Sequence, residues 1–92
     1  MKSILQTEKQ CFLCGSTVNI EEHHIFFGNG LRIKSERNGF KCFLCAYHHR
    51  DSKGGVHGNR HLDLMLKEEC QREFEKTHSR EDWMWLIKRN YL

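Results

Sequence analysis

The sequence predicts an α+β fold in which a small, metal-stapled, two-stranded hairpin is followed by helices, all in one domain of residues 1–92. Three observations carry that expectation. Cysteines pair at metal-ligand spacing around Cys11 and again around Cys45. Two short runs rich in aromatic and β-branched residues flank a polar stretch bracketed by glycines. From Arg60 onward, apolar residues recur at three- and four-residue steps, the helical period. Ninety-two residues leave room for one core. A core of that size gains little stability from burial alone, so a covalent or metal staple is expected.

In chain order, Met1 to Gln10 carries lysines and a glutamate without an apolar run, and does not read as a secretory leader. Cys11-Phe12-Leu13-Cys14-Gly15 reads as a tight turn. Glu22 to Phe27 suits a strand, broken by Gly28-Asn29-Gly30, and a polar, basic loop is expected to run to Gly39. Phe40 to Leu44 suits the returning strand. The His-rich stretch after Cys45 could open a short helix, which Gly54 and Gly55 interrupt. From Arg60 to Lys76, Leu62, Met65, Leu66, Cys70 and Phe74 share one helical face, with Asn59 as N-cap. Ser79 and Asp82 resemble a capping box opening a last helix that presents Trp83, Leu86 and Ile87. Trp85 falls off that face and is free to serve an interface.

No segment approaches the roughly 18 apolar residues of a membrane span. A reducing, cytoplasmic setting is expected, where paired cysteines more often serve metals than disulfides. The odd cysteine count, five, agrees. The formal charge of +3 permits contact with an anionic polymer without demanding it. Basic residues gather mid-chain (Arg32, Lys34, Arg37, Lys41, Arg50, Lys53, Arg60), whereas acids concentrate between Asp63 and Asp82. That asymmetry favours nucleic acid near the middle segment.

Cys11-x-x-Cys14 on a glycine-ended turn forms half of a tetrahedral zinc site. The other half is open to two readings. Cys42-x-x-Cys45 would complete a four-cysteine set, and spacing alone favours it. Cys45-x-x-His48 would complete a Cys₃His set and leave Cys42 free. A second group of candidate ligands comprises His23, His24, His48, His49 and His57. Neighbouring side chains on a strand point to opposite faces, so one of His23 and His24 can hold a metal while the other reaches a substrate.

These residues, Cys11-x-x-Cys14, Glu22-His23-His24-Ile25, Leu44-Cys45-x-x-His48-His49 and His57, resemble the motif of the HNH, or ββα-metal, endonuclease family. The resemblance covers residues 11–59. Residues 60–92, ending in Lys88-Arg89-Asn90-Tyr91-Leu92, are similar in a looser way to small phage-encoded members. The resemblance implies a zinc-stapled ββα-metal fold hydrolysing DNA phosphodiester bonds. It makes His23, His49 and His57 ligands of a catalytic divalent metal and His24 the general base that activates water. It also selects Cys11, Cys14, Cys45 and His48 for structural zinc, with Cys42 the alternative to His48.

Neutral imidazole ligands suit Mn²⁺, Ni²⁺ or Zn²⁺ better than Mg²⁺. Arg50 is expected on the scissile phosphate, and Arg32, Lys34 and Lys53 on flanking ones. Two departures from the family pattern stand out. Asn38 is the nearest counterpart of the family's middle asparagine, but its distance from Cys45 is off. Glycines separate His49 from His57, so His57 must reach back from a loop. DNA is the expected partner, with a phage or host protein and weak self-association also compatible. In a phage setting the location is the host cytoplasm. The competing readings are a non-catalytic zinc module that binds DNA or protein, and a structural zinc protein dimerising through its Trp-containing helix.

Overall fold

In the computed structural model, which describes Met1–Leu92, the two strands pair as an antiparallel hairpin and four helices follow or interrupt them. β1 (Ile20–His24) and β2 (Lys41–Cys45) pair with His23 opposite Cys42 and His24 opposite Lys41. α1 (Leu31–Asn38) fills the connection between them, α2 (Ala46–Arg50) follows β2 at once, and α3 (Arg60–Phe74) and α4 (Arg80–Ile87) close the chain. No helix is long and apolar enough to cross a membrane.

The two strands lie within three residues of where the sequence places them. β1 ends earlier than expected because Phe26 leaves the ladder for another partner. The Ser35 hydroxyl accepts the Phe26 N–H at 3.0 Å and donates to the Phe26 carbonyl at 2.7 Å. Ser35 is fully buried, and this double bond seats α1 against the end of β1.

α1 corrects the expected polar loop. Its sequence, Leu-Arg-Ile-Lys-Ser-Glu-Arg-Asn, has almost no amphipathic period, and Ile33 is exposed, so periodicity could not reveal it. The signals were propensity and punctuation: helix-tolerant straight-chain residues lie between two glycines in the left-handed region. Gly39, at φ 73°, ends the helix by donating its N–H to the Ser35 carbonyl. A side chain at Gly39 would also collide with the Lys2 carbonyl, because the N-terminal segment crosses there and the Ile4 N–H donates to the Gly39 carbonyl at 3.0 Å.

The later helices agree with their periodicity. Asn59 caps α3 by accepting the Leu62 N–H, and the Ser79–Asp82 capping box opens α4. Leu66, Cys70 and Phe74 are buried, with Leu62 and Met65 at the edge. Phe26, Phe40, Phe74 and Trp83 pack with ring centroids 5.4–5.9 Å apart where they meet, the spacing of tilted aromatic pairs. The Trp83 indole N–H donates to the Arg89 carbonyl at 2.8 Å. Gln71, also buried, donates to Glu75 and Asn90 and accepts the Tyr91 N–H, which pins the C-terminal residues. Trp85 is exposed, as its place off the helix face implies.

Replacing Ser35 with alanine removes the side-chain partner of both the N–H and the carbonyl of buried Phe26. Stability in urea should fall by about 1–3 kcal/mol, the usual cost of stranding buried polar groups. A loss below about 0.5 kcal/mol, ordinary for a surface change, would mean that α1 is held elsewhere.

Candidate metal centres

Strand parity decides between the two cysteine sets. Cys42 and Cys45 both lie on β2 and are three residues apart, an odd step that sends their side chains to opposite faces. Cys42 points into the core, where it is 1 % exposed and burial pushes its thiol up to about 12. Cys45 instead stands at the strand end and precedes α2, whose first turn brings His48 back to it. Cys11, Cys14, Cys45 and His48 thus form one group whose ligand atoms all lie within 4.8 Å of one another, able to hold a metal such as zinc.

Cys14 Sγ is 3.9 Å from Cys45 Sγ, and His48 Nδ1 is 3.6 Å from Cys11 Sγ and 3.2 Å from Cys45 Sγ. Zn–S bonds of about 2.3 Å at a tetrahedral angle place sulfurs about 3.8 Å apart, so the Cys14–Cys45 edge fits such an ion. Burial works to raise the Cys11 thiol, but the backbone amides of Cys45, Cys14 and Leu13 outweigh it and bring the group down to about 6. A thiol that ionises so readily is suited to act as a ligand.

His23, His49 and His57 form a second group. Their ring centroids lie 4.8–5.1 Å apart, and the Nε2 atoms of His49 and His57 are 3.1 Å apart. His23 extends from β1 into the interior and is 2 % exposed. Its Nε2 is the one buried side-chain polar atom without a hydrogen-bond partner. Stranding such an atom costs about 1–3 kcal/mol, so it calls for an explanation, and a cation at the meeting point of the three rings supplies one. Burial, with the neighbouring histidines, holds the His23 imidazole down to about 3, which keeps its lone pair free for a metal. Burial also lowers His57.

His49 owes its orientation to Glu21, a residue that no motif marks. Its Nδ1–H donates to Glu21 Oε1 at 2.8 Å, which leaves Nε2 directed at His57. A carboxylate behind a histidine is the usual way to fix a ligand's tautomer. The His49 hydrogen bond and the Arg50 guanidinium hold Glu21 below the ordinary carboxylate range against a smaller opposing effect of burial. Arg50 makes a two-pronged pair with it, each contact 2.8 Å. His57 does reach back from a loop. The chain folds closely there, and a side chain at Gly55 or Gly58 would strike the backbone of Asp51 or Ser52.

His24 ends β1 and lines the same open cleft as His23, His49, His57, Phe27 and Arg32. Its ring turns toward Glu36 of α1, 3.2 Å away, a carboxylate that lay in the stretch read as loop. Of the expected phosphate contacts, Arg32 is exposed at this cleft and Lys53 is exposed beyond α2. Arg50 is engaged by Glu21. Lys34 is turned away, with its ammonium on the Leu86 carbonyl at 2.9 Å, so it joins α1 to α4. Asn38 donates to the Lys34 carbonyl at 2.8 Å within its own helix and is not among the residues that line the histidine cleft. The connection between the strands, which a middle asparagine was expected to tie down, is held instead by Ser35 on Phe26. No family model, curated protein or solved structure matches this chain.

Metal analysis of purified variants tests both groups. Cys42→Ser should keep a tightly bound zinc and His48→Ala should lose it; the reverse pattern would restore the four-cysteine set. Glu21→Gln should retain that zinc yet bind Mn²⁺ or Ni²⁺ at the histidine group about 10–100-fold more weakly, the usual effect of losing a ligand's hydrogen-bonded support. Unchanged affinity in calorimetric titration would show that His49 needs no such support.

Proposed function

We propose that this chain is a metal-dependent endonuclease of the HNH, or ββα-metal, kind, hydrolysing DNA phosphodiester bonds. The observation that carries the reading is one cleft in which three imidazoles converge, the innermost with an unpartnered nitrogen, while a fourth histidine, His24, lines the same opening. A scaffold needs a single metal quartet. A second, open, histidine-only group beside an independently held imidazole suits catalysis better than stapling.

In this reading Cys11, Cys14, Cys45 and His48 hold structural zinc, and His23, His49 and His57 hold the catalytic divalent ion. That ion would supply positive charge for the phosphate and for the leaving oxygen. Nitrogen ligands favour Mn²⁺, Ni²⁺ or Zn²⁺ over Mg²⁺. His24 takes the proton from the attacking water as its oxygen bonds to phosphorus and the bond to the 3′ oxygen breaks. Arg32 grips the phosphate chain beside the cleft, and Lys53 does so farther out. Arg50 serves by holding Glu21, and through it His49. The residues assigned to DNA contact phosphates, which carry no base identity, so this domain cuts without reading sequence or is directed by DNA structure or by a partner.

A supercoiled-plasmid assay, with metal content measured in parallel, tests the proposal. Wild-type protein should cut in Mn²⁺ or Ni²⁺ at least as well as in Mg²⁺. His24→Ala should lose about 10²–10⁴-fold in rate, the range for a positioned general base, while keeping both metals and its DNA affinity. His23→Ala should lose the second metal and retain zinc. Wild-type protein that binds DNA but cuts in none of Mg²⁺, Mn²⁺, Ni²⁺ and Zn²⁺ would sink the enzyme reading in favour of a zinc-binding module.

A further inference from the structure

The partner of His24 is a side chain from α1. Glu36 Oε2 lies 3.2 Å from His24 Nε2 and 2.7 Å from the Lys41 ammonium. Glu22 Oε1 stands 3.7 Å from the same ring nitrogen, beyond a direct hydrogen bond. The other nitrogen, Nδ1, meets no hydrogen-bonding group of the protein. An ionised carboxylate accepts and cannot donate, so it selects which imidazole nitrogen carries the proton. Lys41 is largely enclosed and also faces Glu22, so its charge stays beside this pair. The Lys41 and His24 hydrogen bonds hold the Glu36 carboxyl down to about 2. The backbone of Glu36 is anchored as well, because the preceding residue is the buried Ser35 that bonds α1 to Phe26.

We infer that Glu36 is the positioning residue for His24: it holds the ring as the Nε2–H tautomer and leaves Nδ1 as the proton-accepting atom. Its catalytic meaning rests on the proposed function, but the tautomer itself does not. In hydrolysis, the water proton passes to Nδ1 as the water oxygen bonds to phosphorus. The 3′ oxygen departs with the electron pair of the broken bond and takes a proton from solvent. Glu36 keeps its charge throughout and stabilises the imidazolium that forms.

Two measurements on the zinc-loaded protein test this. Long-range ¹H–¹⁵N correlation at about pH 8, above the ordinary imidazole range, should show His24 with Nε2 protonated and Nδ1 bare. Glu36→Ala should turn that single tautomer into a mixture. Glu36→Gln, equal in size, repeats the experiment in case the alanine variant folds poorly, with zinc content as the control. In plasmid or oligonucleotide cleavage, Glu36→Gln and Glu36→Ala should lower kcat roughly 10–100-fold, less than for a fully buried carboxylate partner, with KM for DNA within about twofold. Glu36→Asp should recover much of the loss.

An Nδ1–H ring in the wild type, or a tautomer indifferent to Glu36, overturns the inference whether or not the protein cuts DNA. A loss confined to KM overturns the catalytic part. A Glu36-dependent tautomer in a protein that never cuts leaves the pair standing and removes the nuclease reading instead.

Discussion

Cys45 stands at the last position of β2 and immediately before α2, and its thiol meets the Cys14 thiol and the His48 imidazole there. The Cys11–Gly15 turn, the hairpin and α2 are therefore joined at one residue. Its neighbours are fixed by that join: Leu44 turns into the core, His48 returns to the sulfur, and His49, the next residue on the helix, is delivered to His23 and His57. A core of 13 buried apolar residues is modest for a chain with no disulfide. A metal on this quartet would make the join a staple, and binding energy there would be folding energy. The histidine group inherits its geometry from that point, which is why a change at the quartet would be felt at a site it does not touch.

Much of the architecture was legible because it rests on patterns of period two or 3.6. The hairpin, α3 with its Asn59 cap and α4 with its capping box follow from alternation, apolar spacing and side-chain oxygens at helix starts. α1 was not legible because it is anchored by single polar atoms, Ser35 on Phe26 and Lys34 on Leu86, rather than by an apolar stripe. The choice between Cys42 and His48 shows the same limit from the other side. Counted as text, C-x-x-C is the better half-site; placed on a strand, its odd spacing separates the two thiols.

The candidate ligands could be named from residue type, since few side chains bind metals well. The residues that orient them could not. Glu21 and Glu36 are ordinary glutamates in sequence, and only the strand register and an unforeseen helix bring them to His49 and His24. Each fixes one imidazole, and each is itself held by a cation, Arg50 in one case and Lys41 in the other. Two carboxylate-backed histidines thus flank a third, His23, whose protonation is suppressed by burial rather than by a partner. The division is between rings oriented by charge and a ring dried by packing.

The cations nearest the cleft are largely spent on that internal order. Arg50 faces Glu21, Lys41 faces Glu36, and Lys67 faces Asp63 while lying over Phe26 and Phe27. The nominal surplus of +3 therefore rests on other, exposed cations, among them Arg32, Lys53 and Arg60. Each phosphate neutralised on duplex DNA releases counterions and steepens the logarithmic dependence of affinity on salt by about 0.9. With Arg32 lining the opening, Arg60 beside His57 and Phe27 and Lys53 farther out, a polyanion would be held at the cleft by few such contacts, with a shallow ionic-strength dependence. Residence on the strand would then depend less on long-range attraction than on what the histidine cleft itself grips.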